Sequence, residues 1–193
     1  LITATVLGAA ALIATISDPG NGPAAAQEQP APAATGGIAF RIASANAGIV
    51  DSGALKGRPY GVFFGFTHCP EICPITLFGM SKALKALGPG IKDFRLFFVT
   101  VDPERDIAAI LREYMANFDP RIEALVPSPA ELARLAHALN ATYRKEPMPD
   151  GGYAMSHPVE VYLVNREGKL VNNTFFGDYP KQRLALLRSL IEE

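Results

Sequence analysis

The sequence predicts an α/β fold, a mixed sheet flanked by helices, on three observations. Two continuous apolar runs, Tyr60 to Phe66 and Phe94 to Val101, have the composition of strands buried on both faces. Between them Leu77, Met80, Leu84 and Leu87 recur at spacings of three and four, which is one face of a helix. The chain then closes with a hairpin pattern and a final helix.

Each element has its own signal. Ile38 to Ile42 predicts a short strand, followed by turns at Asn46-Ala47-Gly48 and Lys56-Gly57-Arg58-Pro59. The first central strand ends at Phe66, and a helix follows to about Leu87, stopped by Gly88-Pro89-Gly90. After the second central strand, Asp102-Pro103-Glu104-Arg105-Asp106 predicts a polar turn into a helix near Ile107 to Phe118. Ile122 to Val126 predicts a strand. Ser128-Pro129 with Glu131 opens another helix, since the hydroxyl caps free N–H groups and proline suits the first position. Tyr143 to Gly152 is polar and proline-containing and reads as a mobile loop. Val159 to Val164 and Lys169 to Phe175 form the hairpin around Asn165-Arg166-Glu167-Gly168. Pro180 to Glu193 is the last helix, with Leu184, Leu187 and Ile191 on one face. This order is the thioredoxin-like one, although the pattern alone also fits other small α/β domains.

The 193 residues accommodate one such domain, residues 38–193, with a tail. Leu1 to Ile16 carries no charge and reads as a membrane anchor, or as the core of a signal segment cleaved near Ala24-Ala25-Ala26. Residues 17–37 read as a flexible linker, because 14 of the 21 are Ala, Gly or Pro and no apolar face offsets the entropy of ordering them. Either reading of the first segment carries the domain out of the cytoplasm. With 18 basic and 19 acidic residues, a net charge of -1 and no charge runs, the chain has no electrostatic footprint for nucleic acid.

The two cysteines, Cys69 and Cys73, are too few to staple a chain of this size, which leaves a metal or redox pair. They sit where a strand meets a helix. There the helix N-terminus favours thiolates, and residues four apart on a helical turn point the same way. Pro70 and Pro74 stiffen the segment. Of the three histidines, His68 adjoins Cys69 and points away from the pair, and His137 lies on an Ala/Leu-rich helix. His157 opens the strand of the terminal hairpin and is placed to face the sulfurs; the residues alone leave its participation open. Two soft thiolates with one imidazole suit copper, whereas zinc generally takes a fourth ligand. Phe63, Phe64, Phe66, Phe97 and Phe98 read as core, and Met148 and Met155 as loop packing.

The run Gly65-Phe66-Thr67-His68-Cys69-Pro70-Glu71-Ile72-Cys73-Pro74 resembles the paired-cysteine signature of the Sco/SenC family of copper chaperones. Val101-Asp102-Pro103-Glu104-Arg105-Asp106 resembles its second motif, and His157 ahead of Val161-Tyr162-Leu163-Val164 matches its histidine ligand. The resemblance spans nearly all of Ile38 to Glu193. It implies a thioredoxin-like domain that binds copper, as Cu(I) and Cu(II), through Cys69, Cys73 and His157. It further implies delivery of copper to the CuA-bearing subunit of cytochrome c oxidase, or upkeep of that site's reduced cysteines. Expected partners include other copper chaperones or thiol reductases and, through the N-terminal segment, the cytoplasmic membrane. The domain is then expected to face the periplasm, or the mitochondrial intermembrane space in a eukaryote. The family often has Asp before the histidine, where this chain has Ser156; Pro158 follows it. Asp102 is the remaining acidic candidate to support the site, or simply a turn cap. A thiol-disulfide oxidoreductase using Cys69 and Cys73 is the alternative, and His157 discriminates, since such an enzyme needs no ligand there. A peroxiredoxin-type peroxidase lacks a recognisable peroxide-site pattern.

Overall fold

The computed structural model describes residues 37–192 apart from 89, 90, 92, 150 and 176. The expected anchor and all but the last residue of the expected linker lie outside the described residues. Among the described residues, no helix is long and apolar enough to cross a membrane.

Seven of the described strands form one sheet. In chain order they are β1 (Arg41–Ser44), β2 (Ile49–Asp51), β3 (Tyr60–Gly65), β4 (Arg95–Thr100), β5 (Ile122–Val126), β8 (Glu160–Val164) and β9 (Leu170–Phe175). Their spatial order is β2-β1-β5-β4-β3-β8-β9. β3, β4 and β5 run parallel; β1 and β8 flank them antiparallel. The remaining two strands, β6 (Arg144–Pro147) and β7 (Tyr153–Ser156), form a separate hairpin. Helix α3 (Pro129–Ala138) covers one face of the sheet, and α1 (Ile72–Leu87), α2 (Ala108–Met115) and α4 (Pro180–Glu192) cover the other. This is the mixed, helix-flanked sheet of a thioredoxin-like fold.

The two central strands explain the sandwich. Tyr60, Val62 and Phe64 of β3, with Phe97 and Val99 of β4, pack toward α3. Phe63, Leu96 and Phe98 pack toward Leu77, Met80 and Leu84 of α1 and Leu187 and Leu190 of α4. Full burial of each such side chain contributes about 1.5–3 kcal/mol, so the sheet centre is the domain's main source of cohesion.

Several expectations need correction. The first strand begins at Arg41, not Ile38, because Ile38 donates to the Gly168 carbonyl and Phe40 to Ser52 Oγ outside any ladder. The second helix spans Ala108–Met115, shorter than Ile107 to Phe118. Residues 143–152 are not simply a loop: Arg144–Pro147 pairs with Tyr153–Ser156. The buried face of α4 is Arg183, Leu187 and Leu190; Leu184 and Ile191 are only partly buried. Arg183 is accommodated because Gly79 of α1 has no Cβ, which would lie 2.6 Å from the guanidinium. The Ser128 start is as read, a full capping box with Glu131.

Candidate metal centre

The site lies at the edge where β3 and β4 end. Because these strands are parallel, the loops that leave them, 66–71 and 101–107, emerge side by side, as expected of sites at the carboxyl ends of parallel strands. β8 runs antiparallel to β3, so the segment entering it, which carries His157, arrives at the same edge.

The cysteine segment is not one helical turn. Cys69 sits in a turn closed by its N–H on the Phe66 carbonyl, and α1 begins only at Ile72. Cys73, in the first turn of α1, is fully buried; Cys69 is partly buried. The two still meet, because the Cys73 N–H donates to Cys69 Sγ at 3.4 Å. Glu71, the N-cap residue, makes no side-chain cap bond, so the sulfur serves one of the helix's free N–H groups. Gly65 completes the arrangement. A Cβ there would fall 2.8 Å from Cys73 Sγ and 2.5 Å from Phe98, so only glycine leaves room for the buried sulfur.

The electrostatics divide the pair. The Cys73 thiol, hydrogen-bonded to Cys69 Sγ, together with backbone N–H groups, holds Cys69 down at about 4 despite its partial burial. Cys73 moves the other way, raised by that same bond and by burial. Of the two, Cys69 is the more readily ionised and Cys73 the more firmly protonated.

His157 lies in the link between β7 and β8, three residues before the strand it was expected to open. Its Nδ1 is 2.8 Å from the Pro158 carbonyl. A carbonyl only accepts, so Nδ1 carries the proton and Nε2 presents its lone pair. That Nε2 is 3.6 Å from Cys73 Sγ. The rings of Phe66 and Phe63 stand edge-on to the imidazole at 5.6 and 6.3 Å. With Ser156 in place of a carboxylate, a backbone carbonyl supplies the acceptor that orients a ligating imidazole.

Cys69, Cys73 and His157 each offer one donor atom, and the three atoms lie within 4.8 Å of one another. Three donors about 2.0–2.3 Å from an ion in their plane stand roughly 3.5–4 Å apart. Closing the cluster on an ion therefore requires movement of no more than about 1 Å. Among the described residues this is the only such cluster.

The other candidates fall elsewhere. His68 is exposed and faces Thr67 and Asp106, and His137 is exposed on α3. Met155 is buried in the core, and Met148 is exposed. Asp102 is buried; its carboxylate accepts from Arg105 Nε and from Tyr153 Oη at 2.9 Å, and its carbonyl closes the turn. Sequence reasoning missed the Pro158 carbonyl and Gly65, and within the Asp102–Asp106 turn expected to support the site it singled out Asp102 and not Asp106. Asp106 is fully buried and accepts from Thr67 N–H, Thr67 Oγ1 and Thr100 Oγ1, which pins the start of the cysteine loop to the neighbouring strand. A glycine at the end of an otherwise apolar strand was the available signal for Gly65.

The SCO1/SenC family model matches residues 28–192. The chain belongs to the SCO1/SenC family. Among solved SCO1/SenC proteins, ScoI of Bradyrhizobium japonicum with copper bound is 36% identical, with a TM-score of 0.73 over 81% of this chain and 99% of that one. Copper-bound ScoI of Arabidopsis thaliana is 29% identical, also with a TM-score of 0.73, over 82% and 99%. A SCO2-like protein of Rickettsia conorii is 29% identical over 152 residues, 78% of this chain and 74% of its own.

Proposed function

We propose that this SCO1/SenC protein is a copper chaperone that carries one copper ion as cargo on Cys69, Cys73 and His157. The observation that carries the reading is the convergence of two sulfurs and an oriented imidazole within 4.8 Å. Its support is a fold shared with two ScoI proteins solved with copper bound. Two soft sulfurs are enough to hold Cu(I), and the imidazole adds the harder donor that Cu(II) favours. Three ligands leave a coordination position open, so a recipient's ligand enters before the donor's leave. The recipient we infer, from the family, is the CuA-bearing subunit of cytochrome c oxidase, with other copper chaperones or thiol reductases reloading or reducing the site. Residues 1–16 are read as holding the domain at the outer face of the cytoplasmic membrane, or its mitochondrial counterpart.

Titration of the reduced domain with Cu(I) and with Cu(II) tests this. One ion per chain is expected. Cys69→Ser or Cys73→Ser removes stable binding of both states. His157→Ala weakens Cu(II) by at least ~10–100-fold, the loss seen even for outer groups that only orient ligands, and leaves Cu(I) largely held. Full Cu(II) retention by His157→Ala overturns the ligand assignment.

The asymmetry of the pair favours a second reading, thiol-disulfide exchange. The accessible Cys69 thiolate attacks a substrate disulfide and forms a mixed disulfide; Cys73 then displaces the substrate thiol, leaving a Cys69–Cys73 disulfide and a reduced dithiol. Such reduction persists in His157→Ala, whereas Cu(II) binding does not.

A further inference from the structure

The β6–β7 hairpin shares no ladder with the main sheet, yet His157 follows it directly. Its attachment to the body therefore decides where the imidazole stands. Met155 anchors the hairpin in the core, and the polar attachment is concentrated on Tyr153. Its hydroxyl donates to the buried Asp102 carboxylate at 2.9 Å. The Arg105 guanidinium lies 3.8 Å over its ring, and Arg105 Nη1 donates to its carbonyl at 3.1 Å. Lys145, from the opposite strand of the hairpin, holds its ammonium 4.5 Å from the same ring and pairs with Glu104 at 2.6 Å. Three residues of the 101–107 turn are thus engaged around one side chain: Asp102 directly, Glu104 through Lys145, and Arg105 in two ways. Arg105 also approaches Phe66, the ring that stands edge-on to His157.

We propose that Tyr153 is a positioning residue for the metal centre, a latch that closes the hairpin onto the 101–107 turn and thereby fixes His157 over the sulfurs. This rests on the copper reading above for its purpose, though the latch itself does not. It also gives Asp102 a role: the carboxylate acts on His157 through Tyr153 and Arg105. The Nδ1 of the imidazole is already engaged by the Pro158 carbonyl, so a carboxylate is not needed to orient the ring.

Two measurements test the latch. In the copper-free protein, amide hydrogen exchange of Tyr153→Ala is expected to rise at residues 153–157 while β3 and β4 stay protected as in wild type. Unchanged exchange in that segment overturns the latch, whatever the outcome with copper. In the loaded protein, Tyr153→Ala is expected to weaken Cu(II) about 10–100-fold and to shift the sulfur-to-Cu(II) absorption band, with Cu(I) affinity changed by less. Tyr153→Phe keeps the ring under Arg105 and recovers most of the loss. On a His157→Ala background, Tyr153→Ala has no further effect on copper, because the tyrosine acts only through the histidine. A wild-type Cu(II) affinity and band in Tyr153→Ala, or equal losses with and without His157, overturns the positioning role. If Tyr153→Ala does not fold, Asp102→Asn carries the same cycle. A wild-type protein that binds no copper defeats the chaperone reading and leaves the exchange result to decide the latch.

Discussion

At the scale of single residues, the centre is a division of labour between two sulfurs with the same covalent chemistry. Cys69 accepts a helix N–H and the Cys73 thiol and is the more readily ionised; Cys73 is sealed against Gly65 and Phe98 and is the more firmly protonated. Thiolate is the reactive form, so alkylation reads the division directly. The folded value of Cys69 is depressed, so its thiolate persists as the pH falls and is lost only near about 4. Iodoacetamide should label Cys69 of the reduced, copper-free protein at a nearly constant rate from about pH 8 to pH 5, where an ordinary thiol slows about tenfold per unit. Cys73 should resist throughout. An ordinary thiol's profile at Cys69 overturns the assignment. The same depression stabilises the fold fully only above the unfolded thiol's value, and the contribution fades as the pH falls toward about 4.

At the scale of elements, the site depends on connections rather than on the strands themselves. Asp106 joins the cysteine loop to the end of β4 through three accepted hydrogen bonds. Hydrogen bonds to a charged group contribute about 1.5–3 kcal/mol each, and an asparagine there offers one acceptor oxygen instead of two. Asp106→Asn should lower unfolding free energy in urea by about 1–3 kcal/mol and weaken copper while leaving one ion per chain. Unchanged stability in urea would show that the tie carries no weight. Such connections were the hardest part to read from sequence. The apolar runs of β3 and β4, the Ser128 cap and the 77-80-84 face of α1 follow from composition and spacing, and the structure has them. Strand β6, Arg-Lys-Glu-Pro, has no apolar alternation, because its own side chains are held by ion pairs and ring contacts while β7 supplies the hairpin's buried Met155. β2 is three residues long and carries too little pattern. The cysteines and His157 were legible by type; the Pro158 carbonyl was not, since any residue supplies one.

At the scale of the whole molecule, the proposed tether sets how the domain finds its recipient. A linker of 21 residues with this composition has a reach on the order of 25 Å at ~5–6 Å × √n. That confines the copper to the neighbourhood of the membrane and raises its effective concentration near an acceptor there. Cleavage within residues 17–36 should therefore leave copper binding by the released domain unchanged but slow oxidase maturation in cells, measured as CuA content. Undiminished maturation by the released domain would rule the tether out as a functional part. A copper ion in the proposed centre also changes the topology of the chain. Cys73 and His157 are 84 residues apart in sequence, so an ion bridging them turns everything from α1 to β7 into a closed ring. A permanent cross-link of that loop length removes chain entropy worth about 4.5 kcal/mol from the unfolded state, comparable to much of a small domain's stability. The loaded protein is thus a ring and the discharged one a line, and each delivery of cargo cuts the ring open.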